Sequence, residues 1–131
     1  MYEITEQFTF FATHQVQGLG ESHPCSGVHS HRWLAEVSLV AEKLPPTDGL
    51  SELALLDPVR LYIAMELDGR HLNDLLIGEA TPARVARHLG AWCRENMVAH
   101  LARSLSSVTV SMADSSRGRF VFGRPAGGPV R

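Results

Sequence analysis

The chain has only two cysteines, Cys25 and Cys93, in 131 residues. Two are too few for the disulfide framework of a small secreted domain, so each is read as a thiol in a reducing compartment. No apolar run approaches the roughly 20 residues that would span a bilayer. The opening MYEITEQFTFF carries acidic residues and no basic stretch before its apolar part. That is not the pattern of a secretory signal, and the expectation is a cytoplasmic protein with no membrane partner. A nucleic-acid binder calls for a basic domain with aromatic or Lys-rich interleaving. Here the net charge is −2 and neither pattern is present, so no nucleic-acid partner is expected. Internal repeats and heptads are lacking too.

What is there is an ordinary globular composition, 44% hydrophobic and 20% charged. At this length it implies a single domain over 1–131, with a stretch of low order at about 117–131 that ends in RPAGGPVR. Charge is unevenly spread: residues 1–81 hold 4 basic and 12 acidic side chains, whereas 82–131 hold 8 arginines and 2 acids. Such halves can attract each other across a subunit interface, or the basic part can meet an anionic ligand; a solvated helix face reads equally well.

Ile4, Glu6, Phe8 and Phe10 alternate with Thr5, Gln7 and Thr9, the period-2 pattern of a half-buried strand ending at His14. Gln17–Ser30, rich in Gly, Ser, His and Pro, predicts a long loop. Arg32–Glu42 sets Trp33, Ala35, Val37, Leu39 and Ala41 on one face of a second strand, which Leu44–Gly49 ends. Val59, Tyr62, Ile63 and Glu66 have helical spacing, with Asp57 as expected N-cap and Pro58 as first helical residue. Thr81–Pro82 opens a longer amphipathic helix through Val85, Leu89, Trp92, Cys93, Met97 and Leu101, to about Arg103. Val108, Val110 and Met112 alternate in a third strand, and Arg119–Phe122 forms its partner across an Asp114–Gly118 turn. The order ββααββ predicts an α+β domain, a four-stranded antiparallel sheet with two helices on one face. Its two free edges invite pairing with other chains, hence a homo-oligomer.

The chemistry concentrates in histidines. His29 and His31 are spaced i, i+2 at a loop-to-strand transition, so both imidazoles point to one side. If the first two strands pair antiparallel, His14 lies beside them, and three histidines leave a fourth metal position open for water or substrate. Isolated histidines are commonly hydrogen-bonded structural residues, so the spacing leaves both readings open. Cys25, four residues before His29, would have a lowered pKa beside a cation and is a candidate base or nucleophile. Cys93, on the apolar face of the long helix, reads as core.

Phe10-Phe11-Ala12-Thr13-His14, Cys25-Ser26-Gly27-Val28-His29-Ser30-His31 and Leu67-Asp68-Gly69-Arg70-His71-Leu72-Asn73-Asp74 resemble, in order and spacing, the 6-pyruvoyl-tetrahydropterin synthase and 6-carboxytetrahydropterin synthase family. The C-x3-H-x-H spacing is nearest the bacterial carboxytetrahydropterin branch. Leu56-Asp57, Thr81-Pro82 and Val108-x-Val110 are weaker echoes, and together the matches cover most of 4–122. The resemblance implies the tunnelling fold, in which ββααββ subunits form an oligomeric barrel as a trimer or a hexamer of stacked trimers, with active sites near subunit interfaces. It implies zinc (Zn2+) held by His14, His29 and His31, polarising the hydroxyl and carbonyl oxygens of a small-molecule substrate. It implies Cys25 as general base and Asp68 in a second proton relay.

The chain departs from the family at Gly69, where the relay histidine is expected; His71, two residues on, is its candidate substitute. Met112 stands where the family has the glutamate that grips the pterin. Ser30 replaces a glycine between the ligands, and Ala83-Arg84 replaces a Glu-Asn pair. A methionine accepts none of the pterin's hydrogen bonds, and an unpaired buried donor costs about 1–3 kcal/mol. The resemblance with these departures implies a zinc-dependent lyase or cyclase acting on a non-standard hydroxy-carbonyl substrate. The alternatives are a genuine 6-carboxytetrahydropterin synthase acting on dihydroneopterin triphosphate, or a non-catalytic metal- or ligand-binding homologue. Three-histidine sites accept several divalent ions, so the spacing does not select zinc.

Overall fold

The computed structural model describes residues 1–16, 27–43, 52–76, 78–114 and 118–123. The expected turn at Leu44–Gly49, most of the expected loop at 17–30, part of the Asp114–Gly118 turn and most of the expected low-order stretch lie outside the described residues, as does Cys25.

Strand β1 (Tyr2–His14) and strand β2 (His29–Ala41) are 13 residues each, well beyond the ordinary length of about 5–6. They pair antiparallel without interruption from Tyr2↔Ala41 to His14↔His29. Strand β3 (Leu105–Met112) pairs with β2 from Trp33↔Met112 to Leu39↔Leu105, with an irregularity at Ser38/Leu39, and strand β4 (Phe120–Gly123) pairs with β3. The sheet order is β1-β2-β3-β4, all antiparallel. This is the expected α+β architecture. His29 and His31 are the first and third residues of β2, so the strand starts three residues earlier than the sequence pattern implied.

Between β2 and β3 lie a 3-10 turn (Glu52–Ala54), α1 (Asp57–Tyr62) running into a π-helical turn (Ile63–Leu67), α2 (Leu72–Leu75), α3 (Pro82–Asn96) and α4 (Ala99–Ser104). None of the described helices is long and apolar enough to cross a membrane. Two expectations shift. Asp57 is the first helical residue rather than the cap, with Leu56 at the cap position and no side-chain cap bond. There its negative charge lies in the first turn, 3.9 Å from Arg60. The long helix is not continuous to Arg103. Asn96 Nδ2 donates to the Trp92 carbonyl at 2.9 Å, competing with the helical ladder, and Met97 turns extended at ψ 154. Restarting at Ala99 brings both Met97 and Leu101 into the core. Thr81 caps α3 as expected, its hydroxyl accepting from Arg84 N–H at 3.3 Å.

One sheet face carries the core. Phe8, Phe10 and Ala12 of β1, Trp33, Ala35, Val37 and Leu39 of β2, and Val108 and Val110 of β3 pack against Val59, Ile63 and Leu67 on one side and Val85, Leu89 and Cys93 on the other. Cys93 is fully buried, and burial pushes its thiol up to about 11, which makes it an inert core residue. The π-helical turn ends at Asp68, whose N–H donates to the Ile63 carbonyl at 2.9 Å. The chain then runs along the outer edge of β1. Asp68 Oδ1 accepts from Phe11 N–H, Gly69 N–H donates to the Phe11 carbonyl, and Thr13 N–H donates to the Arg70 carbonyl. Asn73 exchanges two further bonds with the Gln15 backbone. This covers one end of the β1 edge.

Two features of the helix layer can be tested. Gly90, inside α3, faces Phe122 of β4, and a Cβ there would lie 2.5 Å from the ring. Gly→Ala in a helix interior ordinarily stabilises by about 1 kcal/mol. Here Gly90→Ala is expected to destabilise by about 1–3 kcal/mol through overpacking, with most of the loss absent when it is made in a Phe122→Ala background; chemical denaturation reads both. A gain in stability would show that the ring moves aside freely.

Tyr62 of α1 stacks on Trp92 of α3, ring centroids 4.4 Å apart, and hydrogen-bonds His88 Nε2 at 2.6 Å. Burial holds His88 below its ordinary 6.5, against the opposing pull of Glu95. The unfolded chain takes up this proton near 6.5 and the folded chain only at lower pH. Stability is therefore lost as pH falls below 6.5 toward the depressed folded value. The melting midpoint of the metal-free protein should fall between about pH 7.5 and about pH 5.5, and His88→Gln should flatten that slope. Identical slopes for parent and variant would exclude His88 as a contributor.

Candidate metal centre

The final rungs of the β1–β2 ladder build the site. His14 is opposite His29, and Ala12 is opposite His31, so the three imidazoles share the face that carries Phe10, Ala12 and Trp33 further along. Their ring centroids lie 4.4 Å (His14–His29), 4.6 Å (His29–His31) and 5.3 Å (His14–His31) apart. The buried indole of Trp33 forms the floor, 4.9 Å from the His14 ring, its own N–H donating to the Ala12 carbonyl at 3.2 Å. His14 is 1% exposed, and this burial, with the two neighbouring imidazoles, holds its pKa below 6.5.

Each Nδ1 has an oxygen partner. His14 Nδ1 is 2.7 Å from the Ala80 carbonyl, His29 Nδ1 is 2.7 Å from the Gly27 carbonyl, and His31 Nδ1 is 3.1 Å from Asp114 Oδ1. Carbonyls and carboxylates only accept, so each neutral ring carries its proton on Nδ1 and a bare lone pair on Nε2. All three Nε2 atoms are buried and without a partner in the described structure. One ring nitrogen of each lies within 4.8 Å of the other two. Three lone pairs this close together, with no donor to them among the described residues, fit a cation. Oxygen acceptors on the far nitrogens are the outer support that metal-bound histidines characteristically have.

The other candidates fall elsewhere. Asp68 is exposed, with Oδ1 occupied by Phe11 N–H at 2.9 Å. His71 Nδ1 lies 2.9 Å from Thr13 Oγ1, beside β1. Gly69, at the relay position, has φ +74, a left-handed conformation that suits glycine, with its N–H on the Phe11 carbonyl at 2.7 Å. Met112 is half-buried against the core, opposite Trp33. Sequence reasoning missed Asp114. Extending the alternation Val108, Val110, Met112 by two residues would have placed a carboxylate on the imidazole face.

A divalent ion added to the metal-free chain should bind at about one per chain and raise the melting midpoint, by about 2.7 kcal/mol of stabilisation at a hundredfold excess over Kd. His14→Ala should abolish this rise. An equal rise in the variant would mean that the ion sits elsewhere.

The family model for 6-pyruvoyl tetrahydropterin synthase matches residues 3–121. The structure of Caenorhabditis elegans 6-pyruvoyl tetrahydropterin synthase is similar with a TM-score of 0.74 and 19% identity, covering 95% of this chain and 96% of that one. An uncharacterized protein, WS1659 from Wolinella succinogenes, is similar with a TM-score of 0.67 and 20% identity, covering 90% and 96%. At these identities the two structures speak to the fold alone.

Proposed function

The chain belongs to the 6-pyruvoyl tetrahydropterin synthase family, and from that premise we propose that it is a metal-dependent lyase or cyclase acting on a small hydroxy-carbonyl substrate other than dihydroneopterin triphosphate. The observation that carries the reading is the set of three orphaned Nε2 atoms of His14, His29 and His31. These residues would hold the ion, zinc by family resemblance. Once bound, a divalent ion polarises substrate carbonyl and hydroxyl oxygens, stabilising the charge that develops when a neighbouring C–H is broken.

The remaining steps belong to side chains. Cys25, which lies outside the described residues, is assigned by resemblance as the base that removes the activated proton. Asp68 and His71 are proposed to hold and return a proton. They sit at neighbouring points of the β1 edge, at Phe11 and at Thr13, the latter next to His14 in the strand. What favours a changed substrate is the pair of departures from the family's pattern at Met112 and Gly69. Met112, on the imidazole face beside Trp33, offers a thioether where a pterin ring would need an acceptor. Gly69 offers only backbone where the relay imidazole is expected. The proposal includes a cytoplasmic homo-oligomer, trimer or hexamer, with sites near subunit interfaces.

Incubation of the zinc-loaded protein with dihydroneopterin triphosphate, followed by mass spectrometry, tests the reading. We expect no Cys25-dependent tetrahydropterin product. On the true substrate, Cys25→Ala should lower kcat by about 100-fold or more, the scale of a lost general base. A tetrahydropterin product that disappears in Cys25→Ala would instead assign the family's standard activity.

A further inference from the structure

Resting on the metal reading above, we propose that Asp114 is the positioning residue of the centre, the side chain that sets how tightly the ion is held. The three imidazoles are supported unequally. His14 and His29 donate from Nδ1 to the backbone carbonyls of Ala80 and Gly27, acceptors that carry no net charge. His31 alone donates to a side chain, the Asp114 carboxylate.

That carboxylate is itself held in place. Asp114 Oδ2 accepts from Arg32 N–H at 3.0 Å, and the adjacent Ala113 N–H donates to the Arg32 carbonyl at 2.7 Å. The end of β3 is thus fixed to β2 immediately beside His31, and the second oxygen has a fixed place from which to accept the imidazole proton. The side chain is 45% exposed, yet both of its oxygens are engaged.

Two consequences follow for a bound ion. The fixed acceptor selects the His31 tautomer with a free Nε2 and restricts rotation of a ring that is otherwise 20% exposed. The carboxylate also supplies a negative charge directly behind His31. Three neutral imidazoles leave a divalent ion's charge uncompensated, and Asp114, behind His31, offsets part of that charge.

The test uses the full chain, stripped of metal, with Zn2+ affinity measured by competition against a chromophoric chelator and the Co2+ visible spectrum recorded as a signature of ligand geometry. Asp114→Ala is expected to weaken Zn2+ binding by about 10- to 100-fold and to shift the Co2+ bands. Asp114→Asn, nearly isosteric and still carrying one oxygen acceptor, should fall between the variant and the parent. A merely structural role would lower the melting point of the metal-free protein and leave the Zn2+ affinity of the folded Asn variant and its Co2+ spectrum unchanged; that result overturns the proposal. If the parent chain binds no Zn2+, the metal reading itself fails and this inference with it. If the parent binds one ion and the variants bind it equally well, only the role of Asp114 fails.

Discussion

Three imidazole lone pairs face one another at the end of the first two strands, and every one of them is an acceptor with its donor already committed behind it. The arrangement depends on strand register. Slipping β1 against β2 by one residue would turn His14 to the opposite face, and the core residues Phe8, Phe10 and Ala12 with it. The apolar alternation that holds the sheet against α1 and α3 is therefore the same device that converges the histidines. The centre is the last rung of the core, resting on Trp33, and the long uninterrupted ladder fixes its position.

The segment from Leu67 to Asp74 shows how one motif can serve two ends. Read as chemistry, it supplies an acid and an imidazole. In the folded chain its groups satisfy the outer edge of β1: a carboxylate on Phe11 N–H, a left-handed glycine on the Phe11 carbonyl, a carbonyl on Thr13 N–H and an amide on Gln15. The two uses are compatible because a carboxylate accepts more than one hydrogen bond. Gly69 belongs to the edge-covering role, since its φ of +74 and its bond to Phe11 draw the chain against the strand.

Much of this was legible in the sequence because it is periodic. The alternations around Phe8, Trp33 and Val108 predicted the strands, and the spacing from Val85 to Cys93 with Thr81-Pro82 ahead of it predicted α3 and its cap. The i, i+2 pair and the strand-end His14 predicted the imidazole cluster once antiparallel pairing was assumed. What was not legible was decided by single side chains against backbone. Asn96 bonds a helical carbonyl through its side chain at the last residue of α3, where the apolar spacing alone runs on to Leu101. Leu56 rather than Asp57 takes the cap position. Asp114 lies eighty-odd residues from His31 in sequence, and only the β2–β3 register brings the two together. Patterning reports which face a residue takes; it does not report which polar atom finds which partner.

Magnitudes separate a centre that holds an ion from a set of histidines that are merely buried. A buried acceptor left without a partner costs about 1–3 kcal/mol, so three of them would cost about 3–9 kcal/mol against a net stability of about 5–15 kcal/mol for a whole domain. A fold that carried this burden permanently would sacrifice much of its margin. Rotating the rings relieves nothing, because each Nδ1 would then lose its oxygen partner. Protonating His14 is opposed by its burial and by the neighbouring imidazoles. A cation satisfies all three acceptors at once. An ion at this point would satisfy His14, His29 and His31 together, a demand set by the fold itself and independent of which molecule approaches the site.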